Sequence, residues 1–354
     1  MYTSRERLWR KRSLRTALLL LFIAVVHLLY TSNAHGLSAS LAFCHPYAAA
    51  PATRRVAGDE PDSMTLLPHI PPKIWQISIS PGSTSGTPAR VPAHVSEWLS
   101  LHPSFAYTIV DNTGALAILS RLQQLLSTSR RRRGCDAPTL DTTAVPSELV
   151  PLYDLISRPV MRADFMRYAV LALEGGVYSD SDTYPVRPLR EWAPEGTRDG
   201  VGLIVGIEAD AQPPIAGTFY PVQLGQWTIA GAKGHPVFWR MLRRVLVEVQ
   251  TRAEAKDDQA VEGQQTMAPS FTNADILKVS GPAGWTEELY GYMSDVTATE
   301  VTWQNLTGLR DPTMFGDVLV LPIDGFATGL SHSGASLQNS DATMVRHEFA
   351  GSWK

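Results

Sequence analysis

Asp180 and Asp182 stand two residues apart behind a short extended run, and carboxylates at that spacing can converge on one hard divalent cation. A catalytic cation of this kind usually also binds the phosphates of a substrate. Upstream, Asp164, Arg167 and Tyr168 fall at i, i+3 and i+4, so a helix places them on one face. Phe165, Met166, Ala169, Val170 and Leu173 cover much of the remainder of that helix. A helix this apolar is buried, and its Asp and Arg then need partners inside the fold. An Asp-x-Asp pair taken alone is more often a solvated polar turn than a metal site. What distinguishes this pair is what surrounds it.

Several elements must hold these residues in place. Gly175 and Gly176 stop the helix, because glycine accepts the left-handed conformation of a helix C-cap. Tyr178, Asp180 and Asp182 then alternate at period two, on one side of a strand or its frayed end, and Pro185 and Pro188 stop further pairing. Residues 70–77 (IPPKIWQI) predict a first, central strand, and residues 105–110 (FAYTIV) a second. Between them, residues 95–101 predict a short helix anchored by Trp98. Residues 116–126 carry helical spacing, and residues 200–207 (GVGLIVGI) read as a buried strand ending in Glu208-Ala209-Asp210. Residues 223–229 form another extended candidate, 236–249 an amphipathic helix, and 318–323 a late strand. Strands alternating with helices predict an α/β domain with a mostly parallel sheet. Ligands of such sheets sit at the carboxyl ends of the strands, where the acid pair lies.

The sequence contains no HExxH, Walker A or GxSxG pattern, which removes zincins, P-loop enzymes and α/β-hydrolases. A phosphatase with an aspartyl nucleophile would carry its acids after a long buried strand near the start of its domain. Here they lie mid-chain after Tyr178-Ser179. About 44% of residues are apolar and the net charge is −3, so nothing points to a nucleic-acid partner. The basic residues are uneven, however. Arg5, Arg7, Arg10, Lys11, Arg12 and Arg15 precede an uncharged run, residues 16–34, that would span roughly 28 Å as a helix. Two readings compete: a signal anchor oriented by the positive-inside rule, and a signal peptide cleaved after Ser32-Asn33-Ala34. The long basic leader favours the anchor. The expected organisation is a cytosolic tail (1–15), a transmembrane segment (16–34), a stem rich in Ala, Pro and Ser (35–69) and a luminal catalytic domain (70–354). In an oxidising lumen Cys44 and Cys135 are able to pair, and Asn305-Leu306-Thr307 is a glycosylation sequon. The arginine run 130–133 reads as a solvated loop or as a contact for an acidic partner.

The block Asp164-x-x-Arg167-Tyr168, Gly175-Gly176-x-Tyr178-x-Asp180-x-Asp182 with Pro188-Leu189 resembles the DXD core of glycosyltransferase family 32. Residues 72–76 (PKIWQ), 206–210 (GIEAD), 226–229 (QWTI), 281–286 (GPAGWT) and the closing His347-x-Phe349-x-Gly351-Ser352-Trp353-Lys354 are similar to the fungal Golgi alpha-1,6-mannosyltransferases of that family. The resemblance runs from about residue 70 to residue 354. It implies a GT-A fold, GDP-mannose as donor, Mn2+ as metal and retention of anomeric configuration. It places Asp180 and Asp182 on metal and donor, Asp164 and Arg167 on the donor sugar and phosphates, and Tyr178 in support. Trp75 is implied to stack on the nucleotide base and His347 to add a metal or diphosphate contact. Glu208, Asp210 and Trp227 are the acceptor-side candidates. The expected partners are an N-glycan acceptor, the Golgi membrane and subunits of a mannosyltransferase complex. Two alternatives remain: hexosyl transfer to a glycolipid such as inositol phosphoceramide, and a non-catalytic subunit of a mannan polymerase.

Overall fold

The computed structural model describes residues 67–79, 90–131, 145–146, 149–257 and 268–351. These fall within one compact unit, Ala57–Lys354. The expected tail and transmembrane segment, nearly all of the stem, Cys44, Cys135, the side chains of the arginine run and residues 352–354 lie outside the described residues. Among the described residues no helix is long and apolar enough to cross a membrane.

In chain order the elements begin with β1 (Lys73–Ile77), α1 (Val95–Leu101), β2 (Ala106–Val110), α2 (Asn112–Arg131), α3 (Leu149–Asp154), α4 (Pro159–Glu174), β3 (Gly176–Ser179) and β4 (Thr183–Pro185). They continue with β5 (Leu203–Asp210), β6 (Val222–Leu224), β7 (Thr228–Gly231), α5 (Pro236–Asp257), α6 (Asn273–Val279), α7 (Pro282–Thr297) and α8 (Trp303–Leu306). The last strands are β8 (Thr313–Phe315), β9 (Val318–Leu321) and β10 (Val345–His347). The main sheet runs β2-β1-β3-β7-β5-β9-β8, with β6 paired to β5. β2, β1, β3, β5 and β9 point the same way, while β7, β6 and β8 are reversed. The sheet is therefore mixed, with parallel strands in the majority. β1 is second from the edge rather than central, because β7, β5 and β9 all add on the far side of β3.

The period-two pattern of the strands separates two cores. Tyr178, Leu203, Val205, Ile229, Val318 and Val320 face a large cluster with helices α2 to α7, including Phe165, Phe238 and Trp285. Their neighbours Val177, Ile204, Ala230, Leu319 and Leu321 face a smaller cluster with Trp98, Trp192 and Phe326. Both faces are covered, and each fully buried large apolar side chain contributes about 1.5–3 kcal/mol.

α4 was expected from its apolar surface, and its end follows the double glycine. Gly175 and Gly176 have φ of +66° and +103°. A Cβ would lie 2.5 Å from the Lys233 nitrogen at the first and 2.6 Å from the Lys73 carbonyl oxygen at the second. No other residue fits there, so helix-to-strand geometry just ahead of the acids is fixed by composition. Two sequence expectations change. β5 continues through Asp210, so Glu208 lies within a strand and not beyond its end, because β6 pairs alongside. Residues 223–229 are two strands, since the Gly225 N–H returns to the Gly206 carbonyl (2.9 Å) and the chain leaves the ladder.

Candidate active site

The acid pair occupies a turn tied down at nearly every polar atom. Asp180 N–H donates to the Trp227 carbonyl (2.7 Å). The Asp180 carbonyl accepts from Thr183 N–H (3.2 Å), Thr183 Oγ1 (2.6 Å) and Gln76 Nε2 (2.8 Å). Ser179 Oγ bonds Thr183 and Thr228, each at 2.7 Å. Beyond the turn, β4 is pinned by Trp98, whose buried indole donates to the Thr183 carbonyl at 3.1 Å. His102 of the same region accepts Leu189 N–H at 2.9 Å, and burial lowers its pKa. The α1 anchor thus has a purpose: it holds the strand that follows the acids.

β10 brings the third member. It pairs antiparallel with β4, placing His347 opposite Thr183. His347 Nε2 lies 3.1 Å from Asp182 Oδ1, and Ala350 N–H donates to Asp182 Oδ2 at 2.9 Å. Burial raises the Asp182 pKa, but the His347 hydrogen bond and charge with the Ala350 N–H outweigh it, so the carboxylate is held below its ordinary range. Ligand atoms of Asp180, Asp182 and His347 lie within 4.8 Å of one another. Two carboxylates and an imidazole are a suitable donor set for a divalent cation such as Mn2+. His347 Nδ1 is buried with no hydrogen-bond partner, so Asp182 and the flanking rings of Phe349 (4.1 Å) and Trp227 (5.2 Å) fix the imidazole.

Behind the acids lies the charge that the buried helix face demanded. Arg167 Nη2 is 3.1 Å from Asp164 Oδ1 and 3.3 Å from Asp180 Oδ1. Its guanidinium carbon sits 4.9 Å from the Tyr178 ring centre, and the Tyr178 hydroxyl donates to Asp180 Oδ1. Asp164 also accepts from Ser280 Oγ (2.8 Å) and Gln226 Nε2 (3.3 Å). Gln226 in turn accepts from the Tyr168 hydroxyl at 2.5 Å. Burial lifts the Asp164 pKa to about 6 against the pull of Arg167 and Ser280. Burial opposes the Arg167 charge, yet Tyr178, Asp164 and Asp180 raise its pKa further. The site therefore holds a permanent cation with an orphaned buried Nε. Asp164 itself is buried, so its contact is with Arg167, which it orients, while Asp180 and Asp182 keep 28% and 18% of their side chains exposed.

The other candidates separate. Trp75 is the register partner of Tyr178 and donates its indole N–H to the Gly175 carbonyl at 2.8 Å. Trp227 stacks near His347 and lies inside the site. Glu208 stands at the same sheet edge, since Ala230 is the register partner of both Val177 and Ile204, and burial lifts its pKa to about 7 against the Gln223 hydrogen bond and the pull of His347. Asp210 stands apart, since both its oxygens are engaged by Thr307 Oγ1 (2.7 Å) and Gly308 N–H (2.6 Å). Gln76, Gln223, Gln226 and Ser280, none of them a sequence candidate, hold the acids from behind. Gln76 and Gln226 fall inside resembling segments; Ser280 and Gln223 carry no local signal.

Residues 88–199, which include both aspartates of the turn, match the family described as "Glycosyltransferase sugar-binding region containing DXD motif". The chain is 32% identical over 295 residues to the "Initiation-specific alpha-1,6-mannosyltransferase" of Schizosaccharomyces pombe, covering 80% of this chain and 64% of that protein. It is 26% identical over 304 residues to the protein of the same description from Candida albicans, covering 80% and 72%. The chain thus spans just under two thirds of the fission-yeast relative. Among solved structures, "PaToxG Glycosyltransferase" aligns with a TM-score of 0.38 at 16% identity over 65% of this chain and 72% of that chain, too loose a match to argue from.

Proposed function

We propose, from the premise that residues 88–199 are a DXD glycosyltransferase sugar-binding region, that this chain transfers mannose from GDP-mannose to an N-glycan core with retention of configuration. The observation that carries the reading is the convergence of Asp180, Asp182 and His347 ligand atoms within 4.8 Å, backed by Arg167. In the transfer, the bond between the mannosyl anomeric carbon and the diphosphate oxygen breaks. An acceptor hydroxyl oxygen bonds to that carbon, and its proton passes to the departing diphosphate oxygen. A divalent cation, taken here as Mn2+, would be held by Asp180, Asp182 and His347 and supplies charge neutralisation of the departing diphosphate.

The chain's own residues do the rest. Arg167 presents a fixed charge whose orientation is set by Asp164 and the Tyr178 ring, and it needs no reorganisation as negative charge develops. Tyr178 aims Asp180 through its hydroxyl. Trp75, beside Tyr178 on the neighbouring strand, is the candidate for the guanine base. The mannosyl group follows the names of the yeast relatives, while GDP-mannose and the N-glycan acceptor are what the family resemblance implies. Membrane placement with the catalytic domain luminal follows the basic-then-apolar pattern of residues 5–34, and the Golgi is what the family resemblance implies. Assembly with other mannosyltransferase subunits belongs to the same proposal.

The test is turnover by the full chain with GDP-mannose, UDP-galactose and UDP-GlcNAc in the presence of Mn2+. Turnover of GDP-mannose alone is expected, and activity confined to a UDP-sugar overturns the mannosyl assignment. Asp182→Ala is expected to lose several kcal/mol of transition-state stabilisation, roughly 10³-fold in rate. Wild-type rates in that variant would sink the metal-site reading.

A further inference from the structure

β5 and β6 do not pair evenly: the register shifts between Ile207 and Ala209, so Glu208 is an extra residue bulged out of the ladder. A bulge bends its strand and re-aims one side chain, at a cost in backbone pairing that a featureless edge has no reason to bear. Ala230 is the register partner of both Val177 and Ile204, so Glu208, four residues beyond Ile204 on β5, stands at the same sheet edge as Asp180, three residues beyond Val177 on β3. Its Oε2 accepts from Gln223 Nε2 at 3.0 Å. Among the described residues no hydrogen bond reaches its Oε1, which is also not among the buried atoms without a partner. One oxygen is thus held, and the other is open to an incoming donor.

Gln223 is fully buried and uses both ends of its amide. Its Nε2 holds Glu208, and its Oε1 accepts the N–H of Phe219 at 3.0 Å. Phe219 lies in the loop 211–221 that joins β5 to β6 at the carboxyl end of β5, the same edge of the sheet as the Asp180–Asp182 turn. A single side chain therefore locks a carboxylate at the acid-turn edge of the sheet to the loop at that same edge. A buried amide with both ends satisfied does not shift without leaving unpaired polar groups, so the lock is stiff.

We infer that Glu208 recognises the acceptor by accepting a hydrogen bond from a sugar hydroxyl at its open oxygen, and that Gln223 is the positioning residue that fixes both Glu208 and the loop 211–221. This rests on the glycosyl-transfer reading above and adds to it where the acceptor sits: between the metal cluster and β6. The donor side is served by Asp180, Asp182 and Arg167, so the two substrates are read by separate strands.

The experiment measures KM for each substrate separately, with GDP-mannose as donor and a high-mannose N-glycan or methyl α-mannoside as acceptor. Glu208→Gln keeps the Gln223 contact but weakens the acceptor oxygen. Gln223→Leu removes the lock, and Gln223→Glu keeps its shape while removing the donor. Each is expected to raise acceptor KM tenfold or more while donor KM stays within twofold, a split that general destabilisation does not produce. Acceptor KM within twofold of wild type in Glu208→Gln and Gln223→Glu, or donor and acceptor KM rising together, overturns the inference. Should Gln223→Leu melt too low to assay, the two isosteric variants decide. Those failures leave wild-type transfer intact, whereas a wild-type chain that turns over no sugar nucleotide fails the glycosyl-transfer reading and the inference with it.

Discussion

Two buried acid–base clusters lie on opposite edges of the same sheet. One, at the carboxyl ends of the strands, joins Asp164, Arg167 and Asp180. The other, at the start of β9, places His235 Nε2 3.2 Å from Asp317 Oδ2, with the Tyr292 hydroxyl donating to Oδ1 at 3.0 Å. Both are made of ordinary ion-pairing residues. The second is closed: His235 is wholly buried, Asp317 nearly so, and the Asp317 carbonyl also accepts Gly202 N–H at 2.8 Å. The first is open on one side, where Asp180 and Asp182 keep 28% and 18% of their side chains exposed, although each cluster holds one buried nitrogen without a hydrogen bond, Arg167 Nε and His235 Nε2. A buried charge pair is thus no sign of function in itself; a pair continued by carboxylates that reach solvent is the better guide.

That contrast can be broken by mutation. The largest effect after the metal acids is expected at Asp164. Asp164→Ala leaves Arg167 with Asp180 as its acidic partner among the described residues and costs about 3–5 kcal/mol of stability, measured by denaturant unfolding, with activity falling in the folded fraction too. His235→Ala is expected to cost about 2–4 kcal/mol by the same assay, yet to leave kcat of the folded protein unchanged. A fall in kcat there would erase the distinction between the clusters.

The pH responses sharpen the comparison, because the two acids carry opposite signs. Burial raises the Asp317 pKa, but the His235 hydrogen bond and charge with the Tyr292 hydroxyl outweigh it, so the folded value lies below the model-peptide 3.8. Its stabilisation is complete above about pH 4 and is lost as pH falls through the folded value. Asp164 is raised to about 6, so the folded state holds its proton longer than the unfolded one, and stability falls as pH climbs from about 4 to 6. Thermal melts across pH 3–7 are expected to show Asp317→Asn flattening the acid limb and Asp164→Asn flattening the fall in stability between about pH 4 and 6. The smallest effect is Ser280→Ala, which removes one bond to Asp164 at about 1 kcal/mol in the same melts.

Much of the acid-turn side was legible because local rules write it. The apolar helix, the double glycine and the alternating Tyr178, Asp180 and Asp182 each leave a short-range pattern, and α4 and β3 follow it closely. The β5–β6 side was less so. Glu208 was picked out as an acid at a strand end, but its bulge exists only once β6 is paired beside it. Gln223 and Ser280 act on partners 15 and 116 residues away, and nothing in their own neighbourhood announces it. Asp210, equal to Glu208 on paper, is spent on the turn at Thr307 and Gly308. Spacing predicts which residues share an element; which of them remain free depends on what the rest of the chain brings.

The pairing of β10 with β4 has a consequence in time. Thr183 and His347 are partners in register, yet one is made long before the other. A chain emerging N-terminus first can build β1, β2, β3 and the helices around them while the acid turn still lacks its imidazole. Two carboxylates alone grip a cation weakly. The Asp180–Asp182–His347 cluster is thus among the last parts of the molecule to be completed, and a polypeptide interrupted before β10 would carry a nearly finished scaffold without its third member.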